Sequence, residues 1–210
     1  RATDLVKEVQ FLQNISKQEG FIPYKGYQIV PKEDSTGFDV YLLADYKRSL
    51  ERHAGIRPFT HLDALNLGLD ICSAFSACRR SGCMFVNLKP SNIYVTPNGE
   101  YKIGDLGFIP LNNLKYATMP ENYISMYTAP EIKDPFASLN ETIDVYTLGA
   151  VLYQIYNGGE LPDLSSAELA APQYADEEMA AIILKTCSLT PEDRWSDPAQ
   201  MGQMLVSYMQ

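Results

Sequence analysis

Histidine is scarce in this sequence, with two residues among 210 (His53 and His61), and tryptophan occurs once. The four cysteines, Cys72, Cys78, Cys83 and Cys187, show no Cys-x-x-Cys spacing. A structural zinc site needs soft ligands clustered at short spacing, so this composition argues against one. It predicts reduced thiols in a cytoplasmic protein. No Lys/Arg run occurs and the formal charge is −9. Phosphate backbones are bound by clustered cations, so nucleic acid is not an expected partner. No apolar run approaches the ~20 residues that cross a bilayer, so no membrane contact is expected of this segment. The chain opens Arg1-Ala2-Thr3 with neither Met nor a signal-peptide pattern, a start expected of a piece of a longer protein.

What is present is an ordinary globular composition, 46% apolar and 20% charged, which argues against disorder. Leu5, Val9, Leu12 and Ile15 recur at helical spacing and predict a helix over 3–16, capped by Thr3 or Asp4. The stretches 27–30 and 38–43, separated by a polar turn, read as an antiparallel hairpin. Thr60-His61-Leu62-Asp63 is a capping-box pattern opening a long amphipathic helix that continues to about Gly82. Residues 143–156 are apolar nearly all round, which predicts a buried helix stopped by Gly158-Gly159. Further helices are expected over 176–187, after Thr190-Pro191, and after Asp197-Pro198. The picture is an α+β chain, a short αβ piece followed by a mostly helical body.

The most informative stretch runs from Asn92 to Asp105. Asn98-Gly99 signals a tight hairpin turn, and a two-residue turn there pairs Asn92 with Asp105 on one face. An amide oxygen and a carboxylate so placed suit a hard divalent cation such as Mg²⁺. Taken alone, the two residues read equally as turn and cap residues, and a one-residue bulge would shift the register.

The neighbouring motifs narrow the reading. Leu88-Lys89-Pro90-Ser91-Asn92, followed by Asp105-Leu106-Gly107, resembles the catalytic loop and metal-binding triplet of protein kinases. Ala129-Pro130-Glu131, then Asp144-Val-Tyr-Thr-Leu-Gly149, then Pro191-Glu-Asp-Arg194 follow in the family's order. The resemblance extends to the bacterial branch of Ser/Thr kinases through residues 176–187. It implies a protein-kinase-like fold: a remnant N-lobe over 1–46 (one helix, two strands, a hinge) and a helical C-lobe over 47–210. It also implies roles. Glu8 matches the helix glutamate that pairs an ATP-orienting lysine, Ala44 the gatekeeper, and Asp45-Tyr46 the hinge. Lys89 is the catalytic-loop lysine, and Asn92 and Asp105 are the metal ligands. Leu12, Tyr24, Phe85 and Leu106 form an internal apolar stack, which ordinary core packing would explain equally. Asp144 either caps the catalytic-loop backbone or serves as a helix N-cap, and Glu131 pairs with Arg194.

The departures from the family are as informative. Asn87 stands where the family carries the aspartate that accepts the substrate proton, and a neutral amide has no comparable basicity. Losing a general base typically costs ~10²–10⁴-fold in rate. Val86 replaces the arginine that holds an activation-loop phosphate, and Ile124 replaces a threonine of the substrate groove. No Gly-x-Gly-x-x-Gly loop and no Val-Ala-Ile-Lys strand occur in this sequence. The expectation is therefore a pseudokinase-like regulatory or binding module with a protein partner, and no cofactor for this chain. The alternative is a Ser/Thr kinase fragment whose parent binds Mg²⁺ and ATP. An unpaired N-lobe strand edge is expected to invite a dimer contact.

Overall fold

The computed structural model describes residues 2–33, 36–54, 58–105, 107–111, 124–134, 136–166 and 168–210. Helix α1 (Ala2–Ile15) buries Val9 and Ile15 and leaves Glu8 exposed. The chain then bonds to the body: Ile22 N donates to Ile103 O and Ile103 N donates to Gly20 O, each at 2.8 Å. Strands β1 (Tyr24–Pro31) and β2 (Phe38–Ala44) form the expected antiparallel hairpin, with Tyr27 opposite Leu42 and an irregularity at Lys25. Among the described residues no third strand joins it. Tyr41 and Leu43 on β2 are 59% and 63% exposed, an apolar surface on an edge strand.

Short strand β3 (Arg48–Ser49) leads into helix α2 (Leu50–Ala54), with Arg48 opposite Val95 and Ser49 opposite Tyr94. Helix α3 (His61–Arg80) starts where its capping box requires. Asp63 N donates to Thr60 Oγ1 at 3.1 Å and Thr60 N donates to Asp63 Oδ2 at 2.9 Å. These bonds satisfy amides left without intrahelical partners, typically worth ~1 kcal/mol. Strand β4 (Cys83–Phe85) returns along α3 and pairs with β7 (Phe108–Pro110). Strands β5 (Ile93–Val95) and β6 (Tyr101–Ile103) complete a three-stranded sheet in the order β3-β5-β6.

Helix α4 (Thr142–Tyr156) is buried along its whole length except at Gln154 and Ile155. It packs with Leu67, Ile71 and Phe75 of α3 and with Met201 and Leu205 of α6 (Pro198–Tyr208) in one apolar core. Helix α5 (Glu177–Thr186) is capped by Asp176, whose Oδ1 accepts from Met179 N at 2.8 Å. Asp197 caps α6 in the same way, through Gln200 N at 2.9 Å. The helix expected after Thr190-Pro191 is only a 3₁₀ turn, Pro191–Asp193, and the Thr190 side chain does not cap it. The chain is extended at Arg194, whose side chain is turned into the core. Holding that guanidinium in place takes precedence over the local helix signal. Among the described residues, no helix is long and apolar enough to cross a membrane.

Candidate functional site

The hairpin β5-β6 does not have the register expected from Asn98-Gly99. Ile93 lies opposite Ile103 and Val95 opposite Tyr101, so Asn92 faces Gly104, whose N donates to Asn92 O at 2.9 Å. The turn is one residue longer than the two-residue form. Gly99 N donates to Thr96 O, and Thr96 N donates to Glu100 O. Gly99 has φ +84 while Asn98 does not enter the left-handed region. Pro97 is the cause: it presets the φ of a type I turn, and the glycine after that turn takes the left-handed position. Asp105 is therefore displaced one place beyond Asn92's partner.

Asn92 is wholly buried and its amide serves the loop itself. Its Oδ1 accepts from Lys89 N at 2.9 Å and its Nδ2 donates to Asn87 O. These bonds close the segment Asn87–Asn92 into a compact turn. Asn87 is 7% exposed and lies against Gly107, where an added Cβ would sit 2.8 Å from the Asn87 Cβ and 3.0 Å from the Phe85 ring. Only glycine admits that approach. Val86 is buried, and its N donates to Gly107 O at 3.0 Å, continuing the β4–β7 ladder.

Beneath the loop, Phe85 is fully buried, with its ring 5.1 Å from Phe108 and 6.4 Å from Phe21. Tyr24 is buried and Leu12 half-buried, while Leu106 lies outside the described residues. Asp144 sits in the first turn of α4, and Glu141 occupies the N-cap position. Its Oδ2 accepts a long bond, 3.5 Å, from Phe85 N. Burial pushes the Asp144 carboxyl well above the usual carboxylate range, against the lowering effect of that bond.

Asp105 is exposed and holds φ +66, the left-handed region, which costs a side-chain-bearing residue about 1–3 kcal/mol. Its Oδ2 accepts from Tyr94 Oη at 3.2 Å. Burial first, and then the neighbouring Asp105 charge, push the Tyr94 phenol up to about 12. Tyr94 and Asp105 line a cavity of about 460 Å³ together with Ala44, Asp45 and Tyr46. Ala44, Asp45 and Tyr46 thus reach the same space as Asp105. Asn92 does not line it. Asp45 pairs with Lys25 at 2.6 Å across the base of the N-terminal hairpin, and Tyr46 is 78% exposed. Lys89 opens instead on a second cavity of about 710 Å³, walled by α2, the start of α3 and the end of α4. Ile124 is exposed.

Tyr94 escaped the sequence reading. Its signal was an aromatic within the β5 triplet, where alternation turns it away from the buried side taken by Ile93. The two residues expected to hold Mg²⁺ therefore stand one register place apart instead of directly opposite each other. Asn92 is committed to the loop backbone, and Asp105 already accepts a hydroxyl. Among the described residues no cluster of three or more His, Cys, Asp or Glu side chains is placed to hold a metal ion.

Glu131 and Arg194 meet as a two-pronged pair, Nη1 to Oε1 at 2.6 Å and Nη2 to Oε2 at 2.9 Å. The remaining guanidinium hydrogens go to Ser188 O (2.7 Å), Thr142 O (3.1 Å) and Leu189 O (3.4 Å), and the cation lies 4.7 Å from the centre of the Tyr146 ring.

The sequence profile of the protein kinase domain matches residues 1–209. The Wee1-like protein kinase of Oryza sativa subsp. japonica is 33% identical over 180 residues, covering 85% of this chain and 32% of that protein. The serine/threonine-protein kinase PknB of Mycobacterium leprae is 25% identical over 205 residues, covering 86% of this chain and 32% of that protein. The serine/threonine-protein kinase PknK of Mycobacterium tuberculosis (strain H37Rv) is 28% identical over 179 residues, covering 76% of this chain and 16% of that protein. The chain spans about a third or less of the length of these relatives. With the ordered motifs, the helical body and the Glu131–Arg194 pair, these matches establish that the chain belongs to the protein kinase family.

Proposed function

We propose that this chain is a pseudokinase-like regulatory or binding module of the Ser/Thr protein-kinase family, with little or no phosphotransfer. The observation that carries the reading is Asn87. It occupies the catalytic-base position, and its amide cannot take the proton of an attacking hydroxyl at neutral pH. Three features of the site support it. Asn92 serves the loop backbone, Asp105 accepts the Tyr94 hydroxyl, and Lys89 opens on a different cavity from Asp105. Phosphoryl transfer depends on positioning and charge stabilisation at one point in space, and here the polar groups are turned toward each other.

A second reading, a kinase with residual activity, is favoured by one observation: Asp105 remains on the wall of the cavity that also reaches Ala44, Asp45 and Tyr46. Incubating the purified chain with labelled MgATP and generic protein acceptors separates the two. The proposal expects no transfer above that of Asp105→Ala. Transfer abolished by Asp105→Ala, and increased by Asn87→Asp, would establish the second reading instead. A protein partner is part of the proposal. Unpaired strand edges template pairing, which makes the β2 edge the surface assigned to a second copy of the chain. Sedimentation of a strict monomer at high concentration would remove that assignment.

A further inference from the structure

Two of the four cysteines stand together at the base of the catalytic loop. Cys78 lies in the last turn of α3 and Cys83 opens β4, and both side chains are fully buried. Their sulfurs are 2.8 Å apart, and Cys83 Sγ also donates to Cys78 O at 3.3 Å. The tight return at Ser81-Gly82, where Gly82 has φ +77 and its N donates to Arg79 O at 2.9 Å, lays Cys83 back over the end of the helix. Nothing in the kinase chemistry discussed above uses either thiol.

We propose that Cys78 and Cys83 are a redox-modification site, closing to an intrachain disulfide when the protein meets a small peroxide. Cys83 is the attacking sulfur. Once Cys83 gives up its own proton, the Cys78 S–H 2.8 Å away donates to it, which favours the Cys83 thiolate. That thiolate attacks one peroxide oxygen, and the O–O bond breaks. Hydroxide leaves and takes up a proton to become water, and Cys83 becomes a sulfenic acid. The Cys78 sulfur then displaces the hydroxyl group from Cys83. The S–S bond forms, and the Cys78 proton leaves with that hydroxyl as a second water. Two thiols are oxidised and one peroxide is reduced. Burial excludes bulky oxidants, and a peroxide is small enough to enter by local opening. The product would join the end of α3 covalently to β4, two residues before the Phe85 amide that Asp144 holds.

The test uses the native full chain and hydrogen peroxide, followed by denaturation, alkylation of free thiols and peptide mapping. The expected result is a fall from four free thiols to two, with one peptide pair linking Cys78 to Cys83. Cys72 and Cys187, also buried, are internal controls and stay alkylatable. Cys83→Ala should retain three free thiols under the same exposure, whereas Cys78→Ala should hold Cys83 as an unresolved sulfenic acid and retain two, with no cross-linked peptide in either variant. Four free thiols in the wild-type chain after exposure would overturn the proposal, as would a linkage through Cys72 or Cys187. The wild-type measurement decides by itself if either variant fails to fold.

Discussion

Two polar pairs that the family motifs single out have opposite fates here. Glu131 and Arg194 are nearly sealed from solvent, and the guanidinium makes two bonds to the carboxylate and three to main-chain carbonyls. Asn92 and Asp105 flank the β5-β6 hairpin, the first buried and bonded to the loop backbone, the second exposed on the cavity wall and accepting the Tyr94 hydroxyl. The difference teaches what each region is held for. A buried charge must be matched by its surroundings or the fold fails. A cleft carboxylate next to water carries no such obligation, so it can hold a local tyrosine hydroxyl without penalty to the rest of the molecule. The fold depends on the buried pair in the helical body, and it makes no such demand on the exposed carboxylate beside the loop.

The comparison is broken most easily at Arg194. Arg194→Ala takes the cation from Glu131, whose side chain is only 9% exposed in the native pair, and breaking a buried pair typically costs ~3–5 kcal/mol. For a domain of this size that is a fall of roughly 6–20 °C in melting temperature. Glu131→Gln should cost less, because an amide still accepts from the guanidinium. A melting curve for Arg194→Ala that overlays the wild type would show that the pair does not anchor the helical body.

Asp144 gives the next largest effect and a defined pH window. Its folded-state pKa is raised by burial, so the folded protein holds this proton more tightly than the unfolded chain. The contribution is complete below the ordinary carboxylate pKa, about 4, and is lost as pH rises through the raised folded value. Asp144→Asn keeps an acceptor for Phe85 N and cannot ionise. Relative to wild type, the variant should therefore gain stability as pH rises above about 4. Denaturant midpoints measured at a series of pH values would show it. A difference between the two proteins that stays flat with pH would mean Asp144 is not the buried acid assigned here.

Much of this architecture is readable from local chemistry. Thr60 and Asp63 announce α3, Asp176 and Asp197 announce α5 and α6, and the apolar run 143–156 announces a buried helix. The caps rest on bonds between residues close in sequence, and the buried helix on the apolar character of its own run. What the sequence did not disclose is set by context. Pro97 lengthened the hairpin turn by one residue, which moved Asp105 out of Asn92's register. Tyr94 reached Asp105 only because that register brings the two strands together. Arg194 overrode a local helix signal because its partner lies 63 residues away. The Cys78–Cys83 contact depends on the return of β4 along α3, which no Cys-x-x-Cys spacing advertises.

The strained backbone at Asp105 sharpens the same contrast on a smaller scale. A Cβ in the left-handed region costs roughly 1–2 kcal/mol, and Asp105 holds φ +66. Asp105→Gly should therefore be more stable than Asp105→Ala by about 1 kcal/mol. Both variants lose the Tyr94 contact equally, so the comparison isolates the backbone. An alanine variant as stable as the glycine variant would remove strain from the account of the cleft.

The smallest expected effect is at Lys25, which forms the other short ion pair of the site. Lys25 Nζ lies 2.6 Å from Asp45 Oδ1, as close as Arg194 lies to Glu131, but both side chains are 55% exposed. The hydrogen bond from Lys25 holds the Asp45 carboxyl below its usual range. Any contribution is therefore present above the ordinary carboxylate pKa and lost as pH falls through the depressed value. In water at physiological salt, such a pair is screened and must order two flexible side chains, and exposed pairs of this kind commonly contribute nothing measurable. Lys25→Ala should leave the melting temperature at pH 7 unchanged within error, and added salt should not separate the variant from wild type. Distance alone would then be excluded as the measure of what holds this fold, since two pairs with the same shortest contact differ in their access to water and in the bonds around the cation. A loss at Lys25 comparable with that at Arg194 would collapse the contrast and make the N-terminal hairpin as tightly anchored as the helical body.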